Sequence, residues 1–422
     1  RRRDHTARSN GKSVFIRNVY FDGPDRPYPT ELFSRDAQDT IARALPLLKN
    51  IQRACLIGPT QPREFIATLL PGSRRRSYPR ELRSDDDWSA RSGALVPSEV
   101  VGLQGQVAIE GAEPWRYVGA EWSVRDMVDW SSRRGWPQAA NAAAADGEIQ
   151  VRDKTSPHVA AVLAWSPKKQ GEGRLVVLWS TFLPLGEPPM EVELDAKLDV
   201  VLNLHGYFFL RADRTSASQP DLDRRLGEAA SLETEWNERL KRNGTLRLVL
   251  STLEAFETQV TDHPRGADYV RALTKGIESS RLFRDFRNDI CKVTGWAWAL
   301  RDGEGPRWSL MPSSVELLVC PNVEELERLV PSLARVLGQS RAITSADAPS
   351  LTLKPRLNRW PAELIRAVLE HVDVTVASTP AGVRILRSFL DSAAGGPTAH
   401  ESFTDVLIRI TRQMLRSLES DS

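Results

Sequence analysis

Two neighbouring segments decide the fold class: Gly173-Arg-Leu-Val-Val-Leu-Trp-Ser-Thr-Phe-Leu-Pro-Leu185 and Val200-Val-Leu-Asn-Leu-His-Gly-Tyr-Phe-Phe-Leu-Arg-Ala-Asp213. Both are dominated by Val, Leu and aromatic residues and are bounded by Gly, Pro or Asp, which reads as strands from Arg174 to Leu183 and from Val200 to Ala212. Working outward, Gln106 to Glu110, Trp115 to Glu121 and His158 to Trp165 carry the same signal. Further toward the start, Val14 to Phe21 reads as a strand stopped by Asp22-Gly23-Pro24. Ser34 caps a helix whose Ala37, Ile41, Ala44, Leu45 and Leu48 share a face, and Ile51 to Ile57 is a short strand closed by Gly58-Pro59. Residues 72 to 98, with Arg74-Arg75-Arg76 and Asp85-Asp86-Asp87, read as a surface loop, and Val124 to Arg134 fits one helical face.

After residue 220 the apolar period lengthens. Leu222 to Leu240, Leu246 to Val260 and Tyr269 to Ile290 read as helices, broken at Asn243-Gly244 and at Asp262-His263-Pro264. Gly295 to Leu300 and Arg307 to Met311 form a strand pair around the turn Asp302-Gly-Glu-Gly305. Helices follow at Val323 to Leu337, Pro361 to His371, Ala381 to Leu390 and Glu401 to Leu418. The expected class is α+β, a β-rich lobe followed by a mostly helical C-terminal region. The 422 residues divide into 1–58, 59–262 and 263–422, in keeping with roughly 150 residues per domain.

Composition excludes several functions. Lys and Arg total 57 against 55 Asp and Glu, a net charge of only +2, so bulk charge names no partner. No apolar run approaches the roughly 18 to 20 residues that cross a bilayer, so no membrane span is expected. The cysteines Cys55, Cys291 and Cys320 lie far apart and outside any CxxC spacing, which argues against a disulfide framework or structural zinc and for a cytoplasmic setting. Phosphate-cradling GxxxxGK[ST], dinucleotide GxGxxG, GxSxG and HExxH strings are all absent, and Gly11-Lys12-Ser13 has only the ending of the first.

The remaining chemistry-bearing residues are scattered. Arg74, Arg75 and Arg76 with Trp88 can meet a nucleic acid, but the adjacent Asp85 to Asp87 favours mutual neutralisation on a solvated loop. Trp115, Trp122, Trp130 and Trp136 are expected in the core or at domain contacts. His158 and His205 lie in apolar strands with no Ser, Cys or carboxylate at a motif distance, so they are expected as hydrogen-bonded strand residues rather than general bases. Phe403, Val406, Leu407, Ile410 and Leu415 make an apolar stripe that either docks onto the body, the favoured reading, or pairs two chains as a homodimer.

A succession of motifs is more specific than any of these. Phe182-Leu-Pro-Leu185, His205-Gly-Tyr-Phe208, Arg211 or Arg214, and Trp236-Asn237 occur in that order. Together they resemble the sacsin-type Hsp90-like ATPases, a branch of the GHKL superfamily. Gly11-Lys-Ser-Val-Phe-Ile-Arg17 resembles the strand that closes the family's nucleotide-binding domain, and Ala44 to Ile51 the segment that opens its middle region.

The resemblance implies that 1–58 is the end of a GHKL-like nucleotide-binding domain, 59–262 a β-rich middle-like domain and 263–422 a helical domain that meets partners. It also implies that the chain continues upstream. The family's Glu/Asn helix and DxGxG loop have no counterpart here, so ATP and Mg²⁺ are expected only through an upstream domain, and ATP hydrolysis only with it. Arg214, Arg224 and Arg225 are the implied phosphate-sensing candidates, with Arg211 beside them, and Lys12 and Arg17 the implied nucleotide-side candidates. Trp236 is expected to pack its helix against the sheet and Asn237 to bind a backbone group. Implied partners are proteins or the chain's own upstream ATPase domain, in chaperone-like work or a bacterial defence or regulatory assembly. A non-catalytic scaffold subunit is the alternative, and a DNA-binding module using Arg409, Arg412 and Arg416 ranks below it.

Overall fold

The computed structural model describes residues 7–9, 12–14, 43–47, 53–56, 65–70, 100–109, 113–124, 127, 157–181, 183–185, 189–210, 228–292, 295–301, 307–312 and 314–394, with isolated positions near the C-terminus. Among these residues the fold is α+β, with most strands before residue 210 and the long helices after it. Strands β1 (Ala7–Ser9) and β2 (Lys12–Val14) form a separate antiparallel hairpin.

The main sheet holds β3 (Arg53–Leu56), β4 (Phe65–Leu69), β5 (Val101–Ile109), β6 (Trp115–Ser123), β7 (His158–Pro167), β8 (Gly173–Thr181), β9 (Leu183–Pro184), β10 (Met190–Leu194) and β11 (Leu198–Gly206). Its order is β10-β8-β11-β7-β6-β5-β4-β3, with β9 on β8. All neighbours are antiparallel except β8 and β11, because β11 inserts between β7 and β8.

Side-chain alternation sends the central strands' apolar residues to two faces. Val159, Ala161, Leu163 and Trp165 of β7 join Leu175, Val177, Val200 and Leu202 on one face. Ala160, Val162 and Ala164 join Tyr117, Val176 and Val201 on the other, where Leu45 and Leu47 pack. Burial on both sides explains why these strands read as continuous apolar runs rather than as an alternating pattern.

The first face is covered by α1 (Glu228–Asn243), α2 (Leu248–Val260), α3 (Gly266–Ser279) and α4 (Arg281–Ile290). Phe256 of α2 stands edge-on to Trp165 with centroids 5.0 Å apart, a contact that adds about 0.5–1.5 kcal/mol to the burial of the two rings. Thr252 of α2 donates to the Ala161 carbonyl at 3.2 Å.

A second sheet holds β12 (Trp296–Arg301), β13 (Arg307–Pro312), β14 (Glu316–Val319), β15 (Arg341–Thr344) and β16 (Ser350–Leu351). One side joins the first core through Trp298, Leu310 and Leu351. Another packs against α5 (Val323–Leu329), α6 (Leu333–Leu337), α7 (Ala362–Glu370), α8 (Val374–Ala377) and α9 (Pro380–Ala394) through Leu318, Ile343, Leu364 and Leu386.

The structure revises several expected elements. The helix read over Tyr269 to Ile290 is two, because Ser280 turns to φ −68°, ψ 154° and its hydroxyl accepts the Phe283 N–H, capping α4. The helix read over Val323 to Leu337 divides at Val330, which is followed by Pro331; proline carries no N–H for the ladder. Strands β1, β4, β10, β14, β15 and β16 have no counterpart among the expected elements. The regions 15–42, 71–99, 128–156 and most of 401–418 lie outside the described residues, and with them most of the first helix, the arginine loop, Trp130, Trp136 and the C-terminal stripe. The expected division at 58/59 falls between β3 and β4, which pair with each other, and that at 262/263 falls between α2 and α3, which share one core.

The crossing of the β7–β8 and β10–β11 connections is the tightest point of the main sheet. Gly171 takes φ +78°, and a Cβ on Gly173 would stand 2.2 Å from the Ala196 carbonyl oxygen and 2.3 Å from that of Leu198. Neither is a side chain that can swing away. Gly173→Ala is therefore expected to destabilise the protein by about 1–3 kcal/mol, read as a lower urea midpoint at unchanged m-value; an unchanged midpoint contradicts this reading of the crossing.

Candidate functional site

One end of the main sheet, where β6 stops, β7 starts and β8 and β11 finish, gathers the motif residues. Thr181, at the end of β8, donates to the Gly206 carbonyl at 3.0 Å. Past Gly206 the chain leaves the ladder, and α1 takes over its backbone groups. Trp236 Nε1–H donates to the Tyr207 carbonyl at 3.1 Å. The Asn237 amide uses both ends: Oδ1 accepts the Phe209 N–H at 2.7 Å and Nδ2 donates to the Phe209 carbonyl at 2.9 Å. Trp236 and Asn237 are buried, Phe209 and Trp236 meet edge-on at 6.0 Å, and Phe208 meets Trp179 at 5.8 Å. The Lys241 ammonium, one turn along α1, stands 5.0 Å from the Trp179 ring centroid. Trp236 and Asn237 thus hold the helix-packing and backbone-binding places expected of them.

Beneath this clamp lies a buried polar row on the face that also carries Tyr117 and Val201. Glu121 Oε2 and His158 Nε2 are 3.3 Å apart, a pair almost closed to solvent. Ser180 donates to Asn203 Oδ1 at 2.6 Å and lies 3.4 Å from His205 Nδ1. The His158 ring contacts those of His205 and Tyr207 at 5.5 and 4.9 Å. Ser180, Asn203 and His205 are all buried.

His158 and His205 lie in strands with polar partners, as expected, although no serine or carboxylate stands at a motif distance from them along the sequence. Register supplies them, since Ser180 is directly opposite His205 in the parallel β8–β11 pair, and Glu121 sits across from β7 near His158. The hydrogen bonds nevertheless favour holding over attack. Ser180 gives its proton to the Asn203 amide oxygen, which is not a base, and its contact with His205 Nδ1 is longer, at 3.4 Å. The row locks four adjacent strands at the end from which residues 207–210 depart.

Of the candidate residues, Lys12 lies in β2 and pairs with Ser9 of the hairpin. Arg17, Arg211, Arg214, Arg224 and Arg225 lie outside the described residues. The described chain reaches Leu210, next to the clamped Phe209, and resumes at Glu228, the first residue of α1. Trp115 is buried on the second face with the Arg43 guanidinium 4.8 Å from its ring, and Trp122 is half-buried against the first core. Among the described residues no group of His, Cys, Asp and Glu is placed to hold a metal ion.

Removing the Asn237 amide strands a buried N–H and a buried C=O, each at about 1–3 kcal/mol. Asn237→Ala is expected to lower stability by about 2–4 kcal/mol in denaturant titration and to speed hydrogen exchange at Phe209 selectively; a Phe209 amide that stays as protected as in wild type contradicts the clamp.

Two buried thiols give a pH signature. Burial pushes Cys291 up to about 11 despite nearby Arg287, and pushes Cys320 up to about 11 despite the Asn322 N–H. The unfolded chain releases these protons near the ordinary value of 9, while the folded chain holds them to about 11. Their contribution is therefore complete below the lower value and falls as pH rises through the higher one. Relative to a Cys291→Ala/Cys320→Ala variant, the wild type should lose stability more steeply across that window, and parallel pH curves contradict the assignment.

Compared with known proteins, the chain matches no family model, no curated protein and no solved structure.

Proposed function

We propose that this chain is the middle and C-terminal region of a sacsin-like, Hsp90-like ATPase, coupling the nucleotide state of an ATP-binding unit to protein partners. The observation that carries the reading is the meeting of its motifs. The segments around Phe182-Leu-Pro-Leu185, His205-Gly-Tyr-Phe208 and Trp236-Asn237 are distant in sequence, yet they touch through Thr181 and Gly206, Trp236 and Tyr207, and Asn237 and Phe209. A set of motifs that builds one junction supports a shared role for them.

The junction suits a coupling element. Its polar row and its clamp hold the sheet end and residues 207–209, immediately before the sequence that carries Arg211, Arg214, Arg224 and Arg225, and in this reading movement of those arginines is passed through the clamp to α1. A guanidinium brought against a γ-phosphate stabilises the charge that moves onto its oxygens during transfer. ATP and Mg²⁺ are held by the upstream unit in this reading, and this chain contributes the cation and the lever.

ATP turnover by the whole natural protein tests it. At least one of Arg211→Ala, Arg214→Ala and the pair Arg224→Ala/Arg225→Ala is expected to lower kcat by about tenfold or more, with KM for ATP little changed. Wild-type turnover in every arginine variant, or a whole protein without ATPase activity, sinks the coupling role and leaves the scaffold reading.

A further inference from the structure

A concavity of about 530 Å³ opens between α3, α4 and the chain after β16. Four cations line it, Arg284, Arg287, Lys354 and Arg356, against the single carboxylate of Glu278. Two of the cations are held in place by backbone carbonyls. Arg287 donates to the Thr352 carbonyl at 2.6 Å. Arg356 donates to those of Ser345 and Ala346 at 2.9 and 3.0 Å, and also to that of Ala348.

The other two, Arg284 and Lys354, are exposed and form no ion pair among the described residues. Phe283 and Pro355 supply apolar lining, and the neighbouring Leu353 is one of the few large apolar side chains exposed among the described residues, at 48%. In a chain whose net charge is only +2, this is a local imbalance.

We infer that this concavity is a docking site for an acidic peptide segment of a partner protein, whose carboxylates meet Arg284, Lys354 and Arg356 and whose apolar side chain covers Leu353. Fixed guanidiniums favour carboxylate binding because little side-chain freedom is lost on contact. Partial burial strengthens such contacts. Burial raises the pKa of Glu278 although the Ser350 N–H, Arg356 and Arg287 act to lower it, and burial likewise works against the charge on Arg356. A free phosphate would use the cations but leave the apolar rim uncovered, so the combined lining favours a peptide. The site would take such a segment whether or not the chain couples to a nucleotide.

Fluorescence anisotropy with a labelled peptide of alternating glutamate and leucine tests the site on the full chain. Wild type is expected to bind, more weakly as salt rises, and a glutamine-for-glutamate peptide is expected not to. Arg284→Glu/Lys354→Glu should weaken binding about tenfold or more, while Arg284→Lys retains most of it. Glu278→Gln, which keeps an acceptor for the Ser350 N–H and removes a repelling charge, should tighten it severalfold. Circular dichroism and thermal unfolding like those of wild type establish that the exposed-residue variants fold.

No binding by wild type, equal affinity in the charge-reversed variant, or binding of pyrophosphate but not of the acidic peptide each overturns the proposal.

Discussion

The carboxamide of Asn237, closing on both backbone groups of Phe209, is the constraint on which the arrangement of the first core depends. Strand β11 lies in the middle of the main sheet, and its chain must leave the ladder after Gly206 while still surrounded by apolar side chains. Phe208 and Phe209 are buried, so water does not satisfy the amides that the ladder no longer pairs. An asparagine offers one donor and one acceptor at nearly the spacing of a neighbouring strand's peptide group. Set on α1, it replaces the missing strand with a helix, and Trp236 fills the angle between the two. Once this bond fixes α1, the register of the helices that follow is set by packing: Leu240, Leu246 and Phe256 have only the first face of the sheet on which to bury.

That economy has an electrostatic counterpart on the opposite face. A sheet with two apolar faces has little to stop one strand from slipping along another, since every residue is interchangeable with one two places along. The row of Glu121, His158, Ser180, Asn203 and His205 removes this degeneracy at one end, because slippage would break the buried Glu121–His158 contact and a buried hydroxyl–amide bond together. Buried polar groups of this kind add modestly to stability but much to uniqueness when they are mutually satisfied. Specificity of register and the clamp thus fall at the same end, which is also where the arginine-bearing stretch is attached.

How far the sequence led follows from the same physics. The long central strands were legible because they are buried twice over and so read as unbroken Val, Leu and aromatic runs. Met190–Leu194 is short and half-exposed, and although Glu191 and Glu193 alternate with apolar residues as in a strand, five positions beside Pro188 and Pro189 give a weaker signal than the long apolar runs. The division of a helix at Ser280 was missed because Leu282, Phe283 and Ile290 keep an apolar helical period beyond it; periodicity records the face a helix buries, not the one residue at which its axis turns. The partners of His158 and His205 were invisible for a different reason. Their nearness is a matter of cross-strand register, and register depends on β11 inserting between β7 and β8, a non-local choice that no spacing along the chain records. Asn237 is singled out with Trp236 by the order of the motifs rather than by periodicity, and its bonds to Phe209 are likewise a contact between distant segments.

Near-neutral charge deserves the same distinction between sum and placement. A total of 57 basic and 55 acidic residues says only that the two signs nearly cancel over the chain. Cancellation is physical only within a screening length of about 8–10 Å, and over that range the signs separate. Along α1, Glu235 with Arg239 and Glu238 with Arg242 pair within the helix itself, and Arg242 reaches Asp289 of α4. Those charges answer one another at the surface of α1, and only the Arg242–Asp289 pair joins two helices. Around Phe283 the balance is reversed, with cations from α4 and from the chain after β16 turned toward one carboxylate. An excess of one sign raises the energy of the isolated protein unless solvent or a ligand answers it, so its survival beside an exposed leucine is more economically explained by a complementary surface than by stability. The concavity beside α4 is accordingly where charge is left unanswered, whereas at the sheet end Glu121 meets His158 and Ser180 meets Asn203.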